Sequence, residues 1–199
     1  DNLIKSGLTD VIVVNTCAVT NEAEKQGLQE IRKLHRQNPD KKIIVTGCSA
    51  QVHPELFTDM PEIYKILGNQ EKMKLSSYNF DESQGNIISS DIMNAKEGAF
   101  HLVQHFDKKT RAFIEIQNGC NHRCTFCIIP SMRGDLVSRP IGEVLLEATR
   151  LFESGVKELL VVSQDTSAYG VDIQYRTGFW DGKPVKTRMF DLVNALNQI

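Results

Sequence analysis

Apolar residues recur in the first part of the chain as two short runs separated by an amphipathic stretch. Residues 11–17 and 42–48 each consist of an apolar run closed by polar or small residues and a cysteine, a pattern that predicts buried strands. Between them, apolar positions at helical spacing predict a helix, with Asn21 and Glu24 as a capping pair and residues 38–39, Asn-Pro, as its stop. The segment is therefore expected to be a strand-helix-strand unit with parallel strands.

Two cysteines follow the two predicted strands. Cys17 comes after the first and Cys48 after the second. Loops that leave the carboxyl ends of neighbouring parallel strands converge where open α/β sheets bind ligands. Cys17 and Cys48 could therefore share one ligand.

A second α/β pattern begins at Arg111. Residues 112–117 read as a strand that runs into a cysteine-rich loop, and Pro140 opens a helix with one apolar stripe and a stop at Gly155. Residues 157–162 predict the next strand and residues 189–199 another helix. This order of strand, loop, helix, strand, loop and helix is that of the start of a barrel.

A polar stretch separates the two patterns. From residue 76 to about residue 98 no period is maintained, which indicates a linker. We expect a domain over residues 1–75, a linker over 76–110 and a second domain over 111–199. The fold class is α/β: an amino-terminal open parallel sheet followed by the start of a partial TIM-like barrel. The chain begins without methionine and stops inside a helical pattern, so we expect it to be part of a longer protein.

Composition narrows the function classes. The net charge is −2 and the sequence pI about 6.2, so the chain lacks the basic surplus typical of nucleic-acid binders. No apolar run approaches the length of a membrane span, and we expect a cytoplasmic protein. Three of the five cysteines lie within eight residues, which favours metal binding over a disulfide framework.

The cysteine trio has the spacing C-x3-C-x2-C, in Cys120-Asn-His-Arg-Cys124-Thr-Phe-Cys127. Three thiolates on one loop can hold three corners of a [4Fe-4S] cluster and leave one iron open. A structural zinc site would need a fourth ligand, which His122 is badly placed to supply. A non-catalytic iron-sulfur protein, for electron transfer or redox sensing, would need a fourth cysteine, and none follows Cys127.

This loop resembles the signature of the radical S-adenosylmethionine (SAM) superfamily, with an aromatic residue, Phe126, before the last cysteine. The resemblance implies that the open iron chelates the amino and carboxylate groups of SAM, and that one electron cleaves SAM to a 5′-deoxyadenosyl radical. Gln164 and Asp165 end the predicted strand after the loop, where barrel enzymes place ligand-binding groups. We expect Phe126, Gln164 and Asp165 to contact this cofactor, although a turn-forming or capping role is equally open for Gln164 and Asp165.

The motifs around Cys17 and Cys48 are similar to the amino-terminal domain of the methylthiotransferases. The resemblance implies conversion of C-H to C-S-CH3, a second SAM molecule as methyl donor, and an electron donor such as flavodoxin or ferredoxin. It also implies a second [4Fe-4S] cluster, implicated in supplying sulfur, on three cysteines of this domain. Two of these match Cys17 and Cys48, and the third is absent from the chain, so this chain alone cannot complete the second cluster.

The two halves resemble different subfamilies. Residues 11–119, through 15–23 and 111–113, are similar to enzymes that methylthiolate threonylcarbamoyladenosine in tRNA beside the anticodon. Residues 131–199, through 131–140 and 163–170, are similar to enzymes that modify an aspartate of small-subunit ribosomal protein S12. The enzyme is either a natural mosaic or two related genes joined across the shared signature. Because the first resemblance covers more of the chain, the sequence favours tRNA as the substrate, with S12 as the alternative.

Two further sets of residues could contact a ligand. Arg133 and Arg139 follow the signature loop and suit a carboxylate or phosphate partner, but solvated loop arginines are the expected reading. Tyr175, Phe179 and Trp180 could form a base-stacking surface, although aromatic residues beside glycines serve equally well as loop anchors.

Overall fold

The structure is a computed structural model that describes residues 10–78, 85–94 and 110–199. The chain divides into two compact units. The first comprises Asp1–Ala95 and Cys124–Gly134, and the second comprises Lys96–Arg123 and Asp135–Ile199. Within the described residues, none of the helices has the length and apolarity that a membrane span requires.

The first unit contains a four-stranded parallel sheet. Its strands and α-helices are, in chain order, β1 (Val11–Thr16), α1 (Asn21–Gln37), β2 (Lys42–Gly47), α2 (Cys48–Val52), α3 (Glu55–Thr58), β3 (Ile63–Leu67), β4 (Ile87–Ile88) and α4 (Ile129–Arg133). The strand order is β1-β2-β3-β4, and each neighbouring pair is parallel. The predicted strand-helix-strand unit is confirmed, with Val11 opposite Lys42 and Thr16 opposite Gly47.

The N-cap of helix α1 lies one residue before the predicted cap, Asn21. Asn21 is its first helical residue, and Thr20 is the N-cap, whose Oγ1 accepts a hydrogen bond from the Ala23 N–H at 3.1 Å. The prediction of an Asn21 and Glu24 capping pair is therefore wrong, because the threonine before it has the extended backbone that a cap requires. The predicted stop is confirmed at Asn38, whose N–H donates to the Leu34 carbonyl at 2.9 Å.

The sheet of the first unit is apolar on both faces. Ile43 and Val45 pack with Ile31 of α1 on one face, and Ile44 packs with Leu67 on the other. All five side chains are fully buried, which explains why β2 reads as a continuous apolar run rather than an alternating one.

The second unit contains a parallel strand pair joined by a helix. Its strands and α-helices are β5 (Arg111–Glu115), β6 (Gln117–Asn118), β7 (Val137–Ser138), α5 (Ile141–Glu153), β8 (Glu158–Val162), β9 (Thr177–Trp180), β10 (Lys183–Lys186) and α6 (Met189–Leu196). Strands β5 and β8 are parallel, β6 and β7 antiparallel, and β9 and β10 form an antiparallel hairpin. The apolar stripe of α5 packs on β5 and α6, in a core that includes Ile114, Leu145 and Leu192. The predicted order of elements is confirmed, and Gly155 ends α5 with a φ of +98°.

The structure also contains elements that the pattern did not predict. They include β3, β4 and the β9-β10 hairpin, and β4 pairs with β3 through Ile66 and Leu67. Strand β4 falls within the predicted linker, so at least Ile87–Ile88 of that stretch belong to the sheet. Residues 79–84 and 95–109 of the linker lie outside the described residues, and the domain boundaries stay a prediction.

Candidate functional site

The cysteine loop follows β6 directly. Gly119, with a φ of +75°, turns the chain after the strand, and Cys120 is buried beside it. Cys124 is exposed and Cys127 half-buried, and the Cys127 N–H donates to the Cys124 carbonyl at 3.0 Å. All three thiols are free, so each is available as a metal ligand.

The described residues contain no group of three or more His, Cys, Asp or Glu side chains arranged to hold a metal ion. Cys120, Cys124 and Cys127 therefore do not form such a group among the described residues. Metal sites commonly take their final geometry only as the ligands bind the ion. The two cluster sites stay predictions.

Cys17 and Cys48 follow strand ends that lie side by side. Thr16 and Gly47 are opposite each other in the β1-β2 register, and the two cysteines come next in the chain. They differ in exposure: Cys17 is exposed and Cys48 is buried at the start of α2. The side-chain amide of Asn69 lies 3.9 Å from Cys48 Sγ.

The segment after Cys127 packs on Cys48 within the first unit. Met132 of α4 is 1% exposed and forms an apolar cluster with Ala18 and Cys48. Asn69 Nδ2 also donates to the Met132 carbonyl at 2.8 Å. Sequence reasoning missed Asn69, although its position just after β3, at the same sheet edge as Cys48, would have indicated it once that strand was recognised.

Unsatisfied polar atoms collect at the carboxyl ends of the strands in the second unit. Five buried side-chain atoms there have no hydrogen-bond partner among the described residues: Gln117 Nε2, Asn118 Oδ1, Ser163 Oγ, Gln164 Oε1 and Asp165 Oδ2. Such groups cost free energy unless a ligand or water pairs with them. Together they offer both donors and acceptors, so they suit a polar ligand such as SAM beside a thiol-rich loop.

Asp165 has a local structural role as well. It caps the 3-10 turn Thr166–Ala168, and its Oδ1 accepts hydrogen bonds from the Ser167 hydroxyl at 2.6 Å and from the Ser167 N–H at 3.1 Å. These bonds, the side-chain one foremost, hold the pKa of the Asp165 carboxyl below its ordinary value, and nearby His122 lowers it further. His122 Nε2 lies 3.0 Å from Asp165 Oδ2, without making a hydrogen bond to it.

Phe126 is 91% exposed. An exposed aromatic side chain lacks apolar contacts, which a bound ligand or a covering segment would supply. Its predicted role in cofactor binding stays a prediction.

Arg139 is not the solvated loop arginine that the sequence suggested. Its side chain and that of Glu147 are each 2% exposed, and Arg139 Nη1 lies 2.6 Å from Glu147 Oε2. Nη1 also donates to the Glu115 carbonyl at 2.8 Å. The signal was present on α5: Glu147 falls inside its apolar stripe, where a carboxylate requires a buried partner.

The aromatic residues that could form a base-stacking surface do not lie in the same environment. Trp180 packs against the core, whereas Phe179 is 71% exposed.

Comparison with known proteins matches two stretches of the chain to two family models. Residues 4–68 match the uncharacterized protein family UPF0004, and residues 114–179 match the radical SAM superfamily. These matches agree with the fold, in which an open parallel-sheet domain is followed by a strand-end C-x3-C-x2-C loop and the first units of a barrel. The class is that of a radical SAM protein with an added amino-terminal domain.

Curated relatives make the class more specific. The chain is 53% identical over 198 residues to the ribosomal protein uS12 methylthiotransferase RimO of Polynucleobacter asymbioticus, covering 96% of this chain and 42% of the relative. It is 51% identical over 172 residues to the threonylcarbamoyladenosine tRNA methylthiotransferase MtaB of Rickettsia prowazekii, covering 86% of this chain and 40% of the relative. The chain thus spans about two fifths of the length of these relatives. It belongs to the radical SAM methylthiotransferase family.

Proposed function

We propose that the protein is a methylthiotransferase that converts a C-H bond of its substrate into C-S-CH3. The observation that carries this proposal is the C-x3-C-x2-C loop at the end of β6, in a chain whose relatives are named methylthiotransferases. The open iron that this spacing leaves distinguishes the enzyme from a closed-cluster electron carrier.

Cys120, Cys124 and Cys127 would hold one [4Fe-4S] cluster. When bound, this cluster supplies one-electron chemistry to SAM. The chain's own part is to bind and orient: the unsatisfied Gln117, Asn118, Ser163 and Gln164 atoms would pair with polar groups of SAM, at the strand ends where barrel enzymes bind ligands.

Cys17 and Cys48 would supply two ligands of a second [4Fe-4S] cluster, the one implicated in sulfur supply. The chain has five cysteines, and three belong to the first cluster, so a third ligand of the second cluster is not among them. Because thiolate ligands must stay reduced, the protein would work in a reducing compartment such as the cytoplasm, with flavodoxin or ferredoxin as electron donor.

For the substrate, an aspartate of ribosomal protein uS12 is our first candidate. The uS12-named relatives of Polynucleobacter and of Polaromonas sp. each align over 96% of this chain, at 53% and 49% identity. The tRNA reading, favoured by residues 11–119 alone, is the second candidate, since the relative named for tRNA aligns over 86% at 51% identity.

Cluster formation is the first test. The chain is reconstituted anaerobically with iron and sulfide, reduced with dithionite, and examined by electron paramagnetic resonance with and without SAM. We expect a [4Fe-4S] signal that SAM shifts, that Cys124→Ala abolishes and that Cys17→Ala retains. A cluster that does not respond to SAM would move the assignment to an electron carrier, and bound zinc would move it to a structural metal site.

The substrate is tested in cells that lack their own methylthiotransferases. The protein is co-expressed with uS12, and both uS12 peptides and tRNA nucleosides are analysed by mass spectrometry. A gain of one SCH2 unit on a uS12 aspartate supports the first candidate, and the same gain on threonylcarbamoyladenosine supports the second. If neither gain is found in cells where both clusters are loaded, both substrates are contradicted.

A further inference from the structure

The β9-β10 hairpin of the second unit has two faces of different character. Residues that pair directly across two strands share a face, and successive residues of one strand point to opposite faces. The register places Phe179 opposite Pro184 and Thr177 opposite Lys186. These four residues therefore form one face of the hairpin, and all four are exposed. We call this set the outer face.

The other face of the hairpin is fixed to the start of helix α5. Trp180 and Val185 pack against the core of the second unit. A Cβ atom on Gly178 would lie 3.0 Å from Ile141 Cγ2 and 3.4 Å from the Gly142 nitrogen, so the backbone of β9 lies directly on the first turn of α5. The outer face is thus presented by an anchored hairpin, as a rigid binding surface requires.

The hairpin carries positive charge in a chain that is slightly acidic. Residues 176–188 contain four basic residues and one acidic residue, whereas the whole chain has a net charge of −2. Arg188 is paired with Asp191 at 2.7 Å. The other three basic residues are exposed and form no salt bridge with any described residue: Arg176, Lys183 and Lys186. This local charge complements a polyanion.

Phe179 indicates which kind of polyanion fits. Its side chain is 71% exposed, and Lys186 is its diagonal neighbour on the outer face, about 7–8 Å away. An exposed ring flanked by cationic side chains binds a nucleotide, because the base stacks on the ring while the phosphates meet the charges. A duplex keeps its bases stacked inside, so the ring suits a single strand. An acidic peptide would meet the charges but offers no base to the ring.

We propose that the outer face of the β9-β10 hairpin is a docking surface for a single-stranded segment of RNA. Phe179 stacks on a base, and Arg176, Lys183 and Lys186 contact phosphates. The choice of RNA over DNA rests on the proposed function, one of whose two candidate substrates is a tRNA nucleoside. The surface itself needs no bound cluster.

The test is fluorescence anisotropy with a labelled single-stranded RNA of about ten nucleotides, measured over a range of salt concentrations. Three phosphate contacts predict a slope of about −2 for log affinity against log salt, which is a loss of about 15-fold between 50 and 200 mM salt. Duplex RNA, single-stranded DNA of the same sequence and polyglutamate are the competitors. Unlabelled single-stranded RNA should compete best.

The two kinds of contact predict different responses to substitution. Phe179→Ala should weaken binding about tenfold without changing the salt slope, and Phe179→Tyr should retain binding. The double variant Lys183→Gln/Lys186→Gln should reduce the slope from about −2 to about −0.7.

Two exposed residues of the second unit serve as matched controls. Lys157 follows the far end of α5, about 20 Å from the turn that holds the hairpin, and Phe113 on β5 is 59% exposed. Lys157→Gln and Phe113→Ala should change neither affinity nor slope. The urea midpoint, followed by the fluorescence of Trp180, checks that each variant is folded.

The proposal is overturned if Phe179→Ala binds normally, if the double variant keeps the full slope, or if the controls weaken binding equally. Polyglutamate competing as well as RNA would identify an acidic protein as the partner, and tighter binding to DNA would exclude RNA. If Phe179→Ala abolishes self-association in sedimentation but not RNA binding, the face pairs two copies of the chain. Binding is measured before and after cluster reconstitution, so a chain that fails as a methylthiotransferase still gives a separate answer.

Discussion

The buried ion pair between Arg139 and Glu147 allows a quantitative prediction of how a substitution changes the stability of the second unit. Both side chains are 2% exposed, so a charge left without its partner would lie in a low-dielectric environment. Removing one member of such a pair costs about 3–5 kcal/mol, whereas replacing both with apolar residues of similar volume is often neutral. We therefore expect Glu147→Leu to destabilise the unit by about 3–5 kcal/mol.

The double variant Arg139→Met/Glu147→Leu should recover most of this loss. It forfeits the hydrogen bond from Arg139 to the Glu115 carbonyl, which is worth about 1 kcal/mol. The coupling energy from the double-mutant cycle should accordingly be large and favourable.

The chain offers a selective probe and a matched control. Its one tryptophan, Trp180, packs on the same core as α5, so tryptophan fluorescence during urea unfolding follows the second unit. With a urea slope of about 1.5 kcal/mol per M, the single variant should lower the midpoint by about 2–3 M. Glu158→Gln, which breaks an exposed pair, should cost less than about 1 kcal/mol. If Glu147→Leu costs no more than this control, the pair does not behave as a buried one and the reasoning is refuted.

Three further predictions concern individual backbone and capping positions. Thr20→Ala removes the N-cap bond of α1 and should cost about 1 kcal/mol in urea unfolding followed by circular dichroism; Thr20→Ser should restore it. Gly47→Ala should destabilise the first unit by about 1–3 kcal/mol or more, because φ is +101° and the new Cβ would lie 2.3 Å from the Thr16 carbonyl oxygen; unchanged stability would contradict the backbone described. Asp165→Asn should cost stability at pH 7. The folded pKa is lowered by Ser167, so the contribution is present above the unfolded pKa of about 4 and is lost as the pH falls through the folded pKa; a cost that does not shrink in acid would argue against it.

The accuracy with which the sequence predicted each structural element depended on the kind of signal. The strand-helix-strand unit and the β5-α5-β8 unit were predictable because apolar periodicity over many residues reports directly on burial. The β9-β10 hairpin was missed because its strands do not alternate, although Asp181-Gly182 at its turn is a recognised hairpin signal; both residues have positive φ.

The site was only partly predictable. That the cysteines follow strand ends could be inferred, because it depends on topology. Glu147 in the apolar stripe of α5 indicates a buried cationic partner, but the pattern does not indicate that this partner is Arg139. Asn69, whose side-chain amide lies 3.9 Å from Cys48 Sγ, was missed because β3, the strand that it follows, was not predicted.

The unequal exposure of Cys17 and Cys48 follows from the sheet and bears on the proposed chemistry. Within the described sheet, β2 lies between two strands while β1 has a single neighbour. Cys48 therefore leaves a covered strand and packs against Met132, whereas Cys17 leaves the outer strand and is exposed. Because oxidation follows thiolate exposure, Cys17 and the exposed Cys124 should be the first thiols lost in air. The two predicted cluster sites thus each contain one vulnerable ligand, so anaerobic handling matters for both, while Cys48 keeps its thiol protected in the core.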